Sequence, residues 1–282
     1  MKNLIVCTLG NKVVPNIQFI KEKQTSGCDY LFITTPDLEK DNIRAYIKNT
    51  FRIGKNELPP TIVDKYAAKE LEDELQKRDF EKYDKIFVNI SEGSIVMINS
   101  IVEVFKDYTA DIFFLPDTIE YMVQVFPKRK RGKIEIERKI GLKEYVTSHG
   151  LEMWDGKLSG ISMEYIQKYL ALYLEHESPR WKILPKLRSY RSQKGGCQIS
   201  LIPNLDIFLQ EIDFPLEDKT GRYITKEEIK FLTGDWFEEF VYHRIKDEFK
   251  LSENNIKTGV TLTKDSVRNE FDVMFFYNGM LY

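Results

Sequence analysis

The chain has 282 residues, enough for about two domains. Hydrophobic residues make up 42% and charged residues 30%, globular values that argue against a wholly disordered chain, and a formal net charge of −2 argues against one that coats nucleic acid by charge alone. Three widely spaced cysteines, Cys7, Cys28 and Cys197, with no CxxC pair, argue against a disulfide framework or a zinc site.

The opening MKNLIVCTLGNK has too short an apolar run for a signal-peptide core. No stretch approaches the roughly 20 apolar residues of a membrane span, so a reduced, cytoplasmic, soluble protein is expected. NLIVCT (3–8) is a continuous apolar run ending in LGN, the pattern of a buried parallel strand feeding a loop. A helix is predicted from Pro15 to Lys23, a second buried strand at 30–35, a helix at 41–51 and a short strand at 61–64. An amphipathic helix follows at 65–78, then a strand at 85–91, the helix IVMINSIVEVF and a strand at 111–116. Alternating strands and helices imply a parallel sheet with right-handed crossovers, a Rossmann-like architecture for the first 120 or so residues.

The basic run KRKRGK (128–133) is expected to close that region. IEIERKI suits a strand, and LKEYVTSHG (142–150) a short helix closed by Gly150. A helix is predicted at 162–177, then a basic, aromatic, turn-rich stretch, SPRWKILPKLRSYRSQKGG. A second domain is expected from about Leu205. Its clearest helix is 234–249, with Trp236, Phe237, Phe240, Val241 and Ile245 as the apolar face. Strands follow at 260–263 and 271–277, then the turn dipeptide Asn278-Gly279 and only three more residues. Three residues pair poorly with a strand of that length, so the C-terminal segment is expected to be loosely packed or completed by a neighbouring molecule.

Ligands of open parallel sheets bind outside the carboxyl ends of the strands. Two loops there have suitable chemistry: Thr8-Leu9-Gly10-Asn11, and Asn89-Ile90-Ser91-Glu92-Gly93-Ser94 opening a helix. Small hydroxyls, a glycine and a helix N-terminus can present N–H groups to a phosphate. The alternative is ordinary helix capping by Ser91 or Ser94. Neither GxGxxG nor GxxxxGK[ST] is present, which disfavours a standard dinucleotide or P-loop site.

N-I-S-E-G-S-I-V-M, Asn89 to Met97, resembles the N-x-[ST]-G-G-[ST]-K-x-M loop of CARF domains. Those are Rossmann-like sensors of cyclic oligoadenylates in type III CRISPR defence. The resemblance implies a homodimer that binds the cyclic nucleotide across its axis, with Thr8, Gly10, Asn11, Asn89, Ser91, Gly93 and Ser94 forming the ligand site. Glu92 stands where the pattern has Gly, and Ile95 where it has Lys, so a cation is lost and a carboxylate gained.

Metal-dependent nucleases gather carboxylates on divalent ions, and hard oxygen ligands select Mg²⁺ or Mn²⁺. Glu238 and Glu239 on the predicted helix and Glu270 and Asp272 around the strand are the candidates. Taken singly, each suits a solvated face. In order, G-D-W-F-E-E-F-V, N-E-F-D-V-M-F and N-G-M-L-Y resemble the PD-(D/E)XK nuclease core fused to CARF domains in CRISPR-associated effectors. The resemblance implies Glu238 and Asp272 as catalytic metal ligands and Glu270 as a supporting catalytic residue. The E-x-K of that core is expected a few residues beyond Tyr282.

The fold class expected is therefore α/β: a CARF domain over 1–140, a helical, basic connector over 141–204, and the opening part of a restriction-endonuclease-like domain over 205–282. The function expected is a metal-dependent nuclease activated by a cyclic oligoadenylate, in first place cyclic tetra-adenylate, cutting single-stranded RNA or DNA or nicking DNA. A sensor or sponge without catalysis is the alternative, and a ring nuclease a weaker one. Arg180, Lys182, Lys186, Arg188 and Arg191, interleaved with Trp181 and Tyr190, suit either a nucleic-acid contact or a solvated connector. His149, His176 and His243 lack ligand spacing.

Overall fold

In the computed structural model, which describes residues 2–116, 120–174 and 182–282, the apolar run at the start of the chain forms strand β1 (Asn3–Thr8). The elements that follow are α1 (Val14–Lys23), β2 (Asp29–Thr34), α2 (Pro36–Lys40), α3 (Ile43–Phe51), β3 (Thr61–Ile62), α4 (Ala68–Gln76), β4 (Lys85–Asn89), α5 (Ile95–Phe105), β5 (Ala110–Phe114), β6 (Tyr121–Phe126) and β7 (Gly132–Glu135). They build one seven-stranded sheet in the order β3-β2-β1-β4-β5-β6-β7. Pairing is parallel from β3 to β5 and antiparallel for β5–β6 and β6–β7.

The central parallel strands β1 and β2 are buried on both faces, which is why they read as unbroken apolar runs: every residue of β2 is buried. Ile101, Val104 and Phe105 of α5 and Leu71 and Leu75 of α4 pack with Leu4, Val6 and Val88 from the strands. The expected helix at 41–51 is α3, which starts only at Ile43 because Asn42 adopts a left-handed conformation (φ 59°) that separates it from the short α2 before it. The basic run expected to close this region instead joins β6 to β7. Lys130 pairs with Asp111 at 3.1 Å and Arg131 donates to the Val125 carbonyl at 2.9 Å, so these cations hold the turn.

The remaining elements are α6 (Leu142–Ser148), β8 (Glu152–Trp154), α7 (Met163–Leu174), α8 (Ile183–Arg188), β9 (Cys197–Gln198), α9 (Leu205–Glu211), β10 (Tyr223–Ile224), α10 (Lys226–Lys230), α11 (Trp236–Glu248), β11 (Ile256–Lys264), β12 (Val267–Tyr277) and β13 (Met280–Leu281). Two compact units result. One holds residues up to Met153 with Leu262–Arg268 and Phe275–Tyr282, and the other Trp154–Thr261 with Asn269–Met274. The second unit has its own core, in which Tyr169, Leu187, Phe208, Phe231 and Trp236 are buried. All three cysteines are free and buried. No helix among the described residues is long and apolar enough to cross a membrane.

The C-terminal segment is better paired than expected. β12 runs over eleven residues and lies between β11 and β13 in a four-stranded sheet ordered β13-β12-β11-β8. Asp265 and Ser266, at φ 48° and 70°, form the two-residue turn from β11. After Asn278-Gly279 the chain pairs Tyr277 with Met280 and Phe276 with Leu281, and Phe275 and Tyr282 exchange two backbone hydrogen bonds of 3.0 and 2.8 Å.

Candidate functional site

In the first unit, β1 has β2 on one side and β4 on the other, and the chain leaves β1 toward β2 but β4 toward β5. The carboxyl ends of β1 and β4 therefore flank the switch point where ligands of such sheets bind. The loops after both strands meet there. A Cβ on Gly10 would lie 2.2 Å from Glu92 Oε2, so only glycine lets the two loops approach this closely. Gly93, at φ +101°, sits against Thr8: a Cβ on it would lie 2.6 Å from the Thr8 methyl.

A buried hydrogen-bond chain fixes this arrangement. Asn16 Nδ2 donates to the Thr8 carbonyl at 3.0 Å, and Asn89 Nδ2 donates to Asn16 Oδ1 at 2.9 Å. Asn89 Oδ1 accepts from the Ser91 amide at 3.1 Å and from the Ser91 hydroxyl, which itself accepts from the Leu115 amide at 2.7 Å. Ser94 caps α5 by accepting from the Met97 amide at 3.1 Å, and donates to the Lys65 carbonyl.

Of the seven residues expected at the ligand, Thr8 and Asn89 are fully buried, and Ser91 and Ser94 use their hydroxyls on neighbouring backbone. Asn11 and Gly93 are exposed and Gly10 partly so. The Thr8 and Thr34 hydroxyls, at the ends of β1 and β2, are buried without a hydrogen-bond partner among the described residues. The side chains of Thr8, Asn89, Ser91 and Ser94 thus mostly build the loop, and Asn11 and Gly93 are exposed. Ile95 is 71% exposed.

In the second unit the chain kinks at Gly234, whose φ/ψ are non-helical, before entering α11, whose first turn runs from Trp236 to Glu239. Buried Trp236, Glu239 and Tyr242 form the inward stripe, whereas Phe237, expected in the apolar face, is 54% exposed. Glu239 can be inward because its carboxylate accepts from the Ser159 amide at 2.7 Å and the Ser159 hydroxyl at 2.9 Å. Burial raises its pKa, and those two bonds oppose the rise.

Glu238 points elsewhere. Its carboxyl is pushed up to about 7, first by burial, then by the negative charges of Asp235 and Asp272, with Arg191 opposing. Arg191 is ion-paired to Asp235, and Arg188 Nη2 donates to the Thr233 carbonyl at 2.9 Å, so α8 and the residues after it brace the turn before α11. Asp272 and Glu270 are exposed on β12, and the Asp272 carbonyl accepts from Thr258 Oγ1 at 2.9 Å. Asp272 shares a strand face with buried Met274 and Phe276.

Glu238 and Asp272 are thus brought into electrostatic reach, joined by Asp235 and Arg191. Asp235 stands in the G-D-W-F-E-E segment, and Arg191 in the basic, aromatic stretch expected to be either a nucleic-acid contact or a solvated connector. Among the described residues no group of three or more His, Cys, Asp or Glu converges closely enough to hold a metal ion. His149 bonds the Tyr145 carbonyl at 2.8 Å and His243 packs on Tyr242, consistent with structural roles. His176, Arg180 and Trp181 lie outside the described residues.

A Card1 CARF domain family matches residues 4–145, and a Card1-like endonuclease domain family matches residues 225–282. No curated protein matches the chain by sequence. Among solved structures, Can2 from Sulfobacillus thermosulfidooxidans in complex with cyclic tetra-adenylate is 16% identical, with 99% of this chain and 78% of that one covered and a TM-score of 0.63. Protein VC1899 from Vibrio cholerae is 18% identical, with coverage of 99% and 78% and a TM-score of 0.66. A type III CRISPR defence DNA nuclease activated by cyclic oligoadenylate is 14% identical, with 99% of this chain but 39% of that chain covered and a TM-score of 0.61.

Proposed function

The chain belongs to the Card1 CARF family, joining an N-terminal CARF domain to a C-terminal endonuclease domain, and from that premise we propose that it is a metal-dependent nuclease of type III CRISPR defence switched on by a cyclic oligoadenylate. Cyclic tetra-adenylate is the activator we assign, supported by its presence in the Can2 complex. Sensing belongs to residues 1–140, transmission to 141–204 and cleavage to 205–282. Two copies pair through their CARF domains in the cytoplasm, with the ligand received at the switch point by Gly10, Asn11 and Gly93 over the scaffold of Thr8, Asn89, Ser91 and Ser94.

The observation that carries the nuclease reading is Glu238, a partly buried carboxyl whose pKa is raised to about 7 by burial, Asp235 and Asp272. Such a group either takes up a proton or gains a cation. Mg²⁺ is usually held by one or two carboxylates with water and substrate phosphate, so the Glu238–Asp272 pair fits it or Mn²⁺, with Glu270 in support. When bound, such an ion neutralises charge that builds on a scissile phosphate. Glu238 and Asp272 hold the site's negative charge. Arg191, held by Asp235, limits the repulsion among the carboxylates and offers a cation to a phosphate backbone.

Glu238→Gln and Asp272→Asn are expected to lower cleavage of single-stranded RNA, single-stranded DNA or supercoiled plasmid in Mn²⁺ by about 100-fold or more while ligand affinity stays unchanged. Full cleavage by both variants would overturn the assignment. A second reading is a sensor without catalysis. It predicts ligand binding with no cleavage in any divalent cation.

A further inference from the structure

The carboxylate at the switch point has a defined position. Glu92 lies across Gly10: a Cβ there would meet its Oε2, Cβ and Cδ at 2.2, 2.8 and 3.1 Å, so the whole side chain rests on the glycine. Oε2 accepts from the Lys12 amide at 3.4 Å. The residues on both sides of Glu92 are clamped. Ser91 is held by Asn89 and by the Leu115 amide, and Gly93 is pressed against Thr8. The backbone of residue 92 therefore has little freedom, and its side chain is aimed at the loop after β1.

We propose that Glu92 is an internal competitor for the anionic ligand: its carboxylate rests on the Gly10–Lys12 loop that would receive a ligand phosphate, and so raises the concentration of cyclic oligoadenylate needed for binding. A carboxylate accepting from a backbone amide beside a glycine makes the contact that a phosphate oxygen makes at such loops. The ligand must displace Glu92 or bind beside it, and either route sets negative charge against negative charge. Displacing Glu92 would break its long contact with the Lys12 amide. The chain is thereby tuned to respond to abundant ligand and to ignore traces.

This inference rests on the cyclic-oligoadenylate reading of the site, and one titration separates the two. The full chain is titrated calorimetrically with cyclic tetra-adenylate as wild type, Glu92→Gln and Glu92→Gly, at low and at high salt. Gln keeps the size and loses the charge, and Gly loses both. Both variants are expected to bind about tenfold more tightly than wild type at low salt, with the gap narrowing at high salt as the repulsion is screened. Equal or weaker binding by both variants, with wild type still binding, overturns the role of Glu92 alone. No binding by any of the three overturns the ligand reading, and this inference with it.

Discussion

At the scale of single residues, Glu238 gives the account its clearest electrostatic signature. Its pKa lies at about 7 instead of the ordinary 4.5. A carboxyl raised in the folded state holds its proton more tightly when folded. Its contribution to stability is therefore complete below pH 4.5 and is lost as the pH rises through about 7. Glu238→Gln removes that loss. The variant is expected to be more stable than wild type by roughly 1–2 kcal/mol at about pH 8 without divalent cations, and no more stable at about pH 4, as read by chemical denaturation. Mg²⁺ is expected to narrow the gap at the higher pH, because the cation replaces the proton. Asn89 gives a second test. Its side chain is shared by Asn16 and Ser91 inside the first unit, so Asn89→Ala leaves buried polar groups without partners. A loss of about 2–4 kcal/mol is expected in the same experiment.

At the scale of elements, α11 shows what periodicity can and cannot find. The run WFEEFVYHRI suggests an inward face of Trp236, Phe237, Phe240, Val241 and Ile245, but the buried residues are Trp236, Glu239 and Tyr242. Glu239 faces inward because Ser159, eighty residues away, donates two hydrogen bonds to it, and no local pattern carries that information. Glu239→Ala is expected to destabilise the second unit by about 1–3 kcal/mol, with Glu239→Gln milder because it keeps an acceptor; thermal melts of both variants check this ordering. The central parallel strands β1 and β2 were legible because burial on both faces leaves continuous apolar runs. The β6–β7 hairpin was not: a strand was expected at IEIERKI, overlapping β7, but β6 was not, because the basic run that turns between them resembles a boundary. The pairing of β12 was missed for a similar reason. Its turn is Asp265-Ser266, without glycine, and VRNE at its start has no apolar alternation.

At the scale of the whole molecule, the meeting of the two first-unit loops was legible from short motifs because it depends on a backbone that few sequences allow. The Gly10 approach and the Gly93 conformation require those glycines, and the order β3-β2-β1-β4-β5 brings their loops together. The division of labour within the ligand loop was not legible, because serine and asparagine suit a ligand contact and a scaffold equally well. Only the bonds of Ser91, Ser94 and Asn89 assign them to the scaffold. The central claim is that ligand arriving at the CARF domain governs the endonuclease domain. It is tested most directly by the initial rate of nucleic-acid cleavage by the full chain in Mn²⁺, with and without saturating cyclic tetra-adenylate. A rate at least about tenfold higher is expected with the ligand; measurable cleavage at the same rate in both reactions would rule out this coupling.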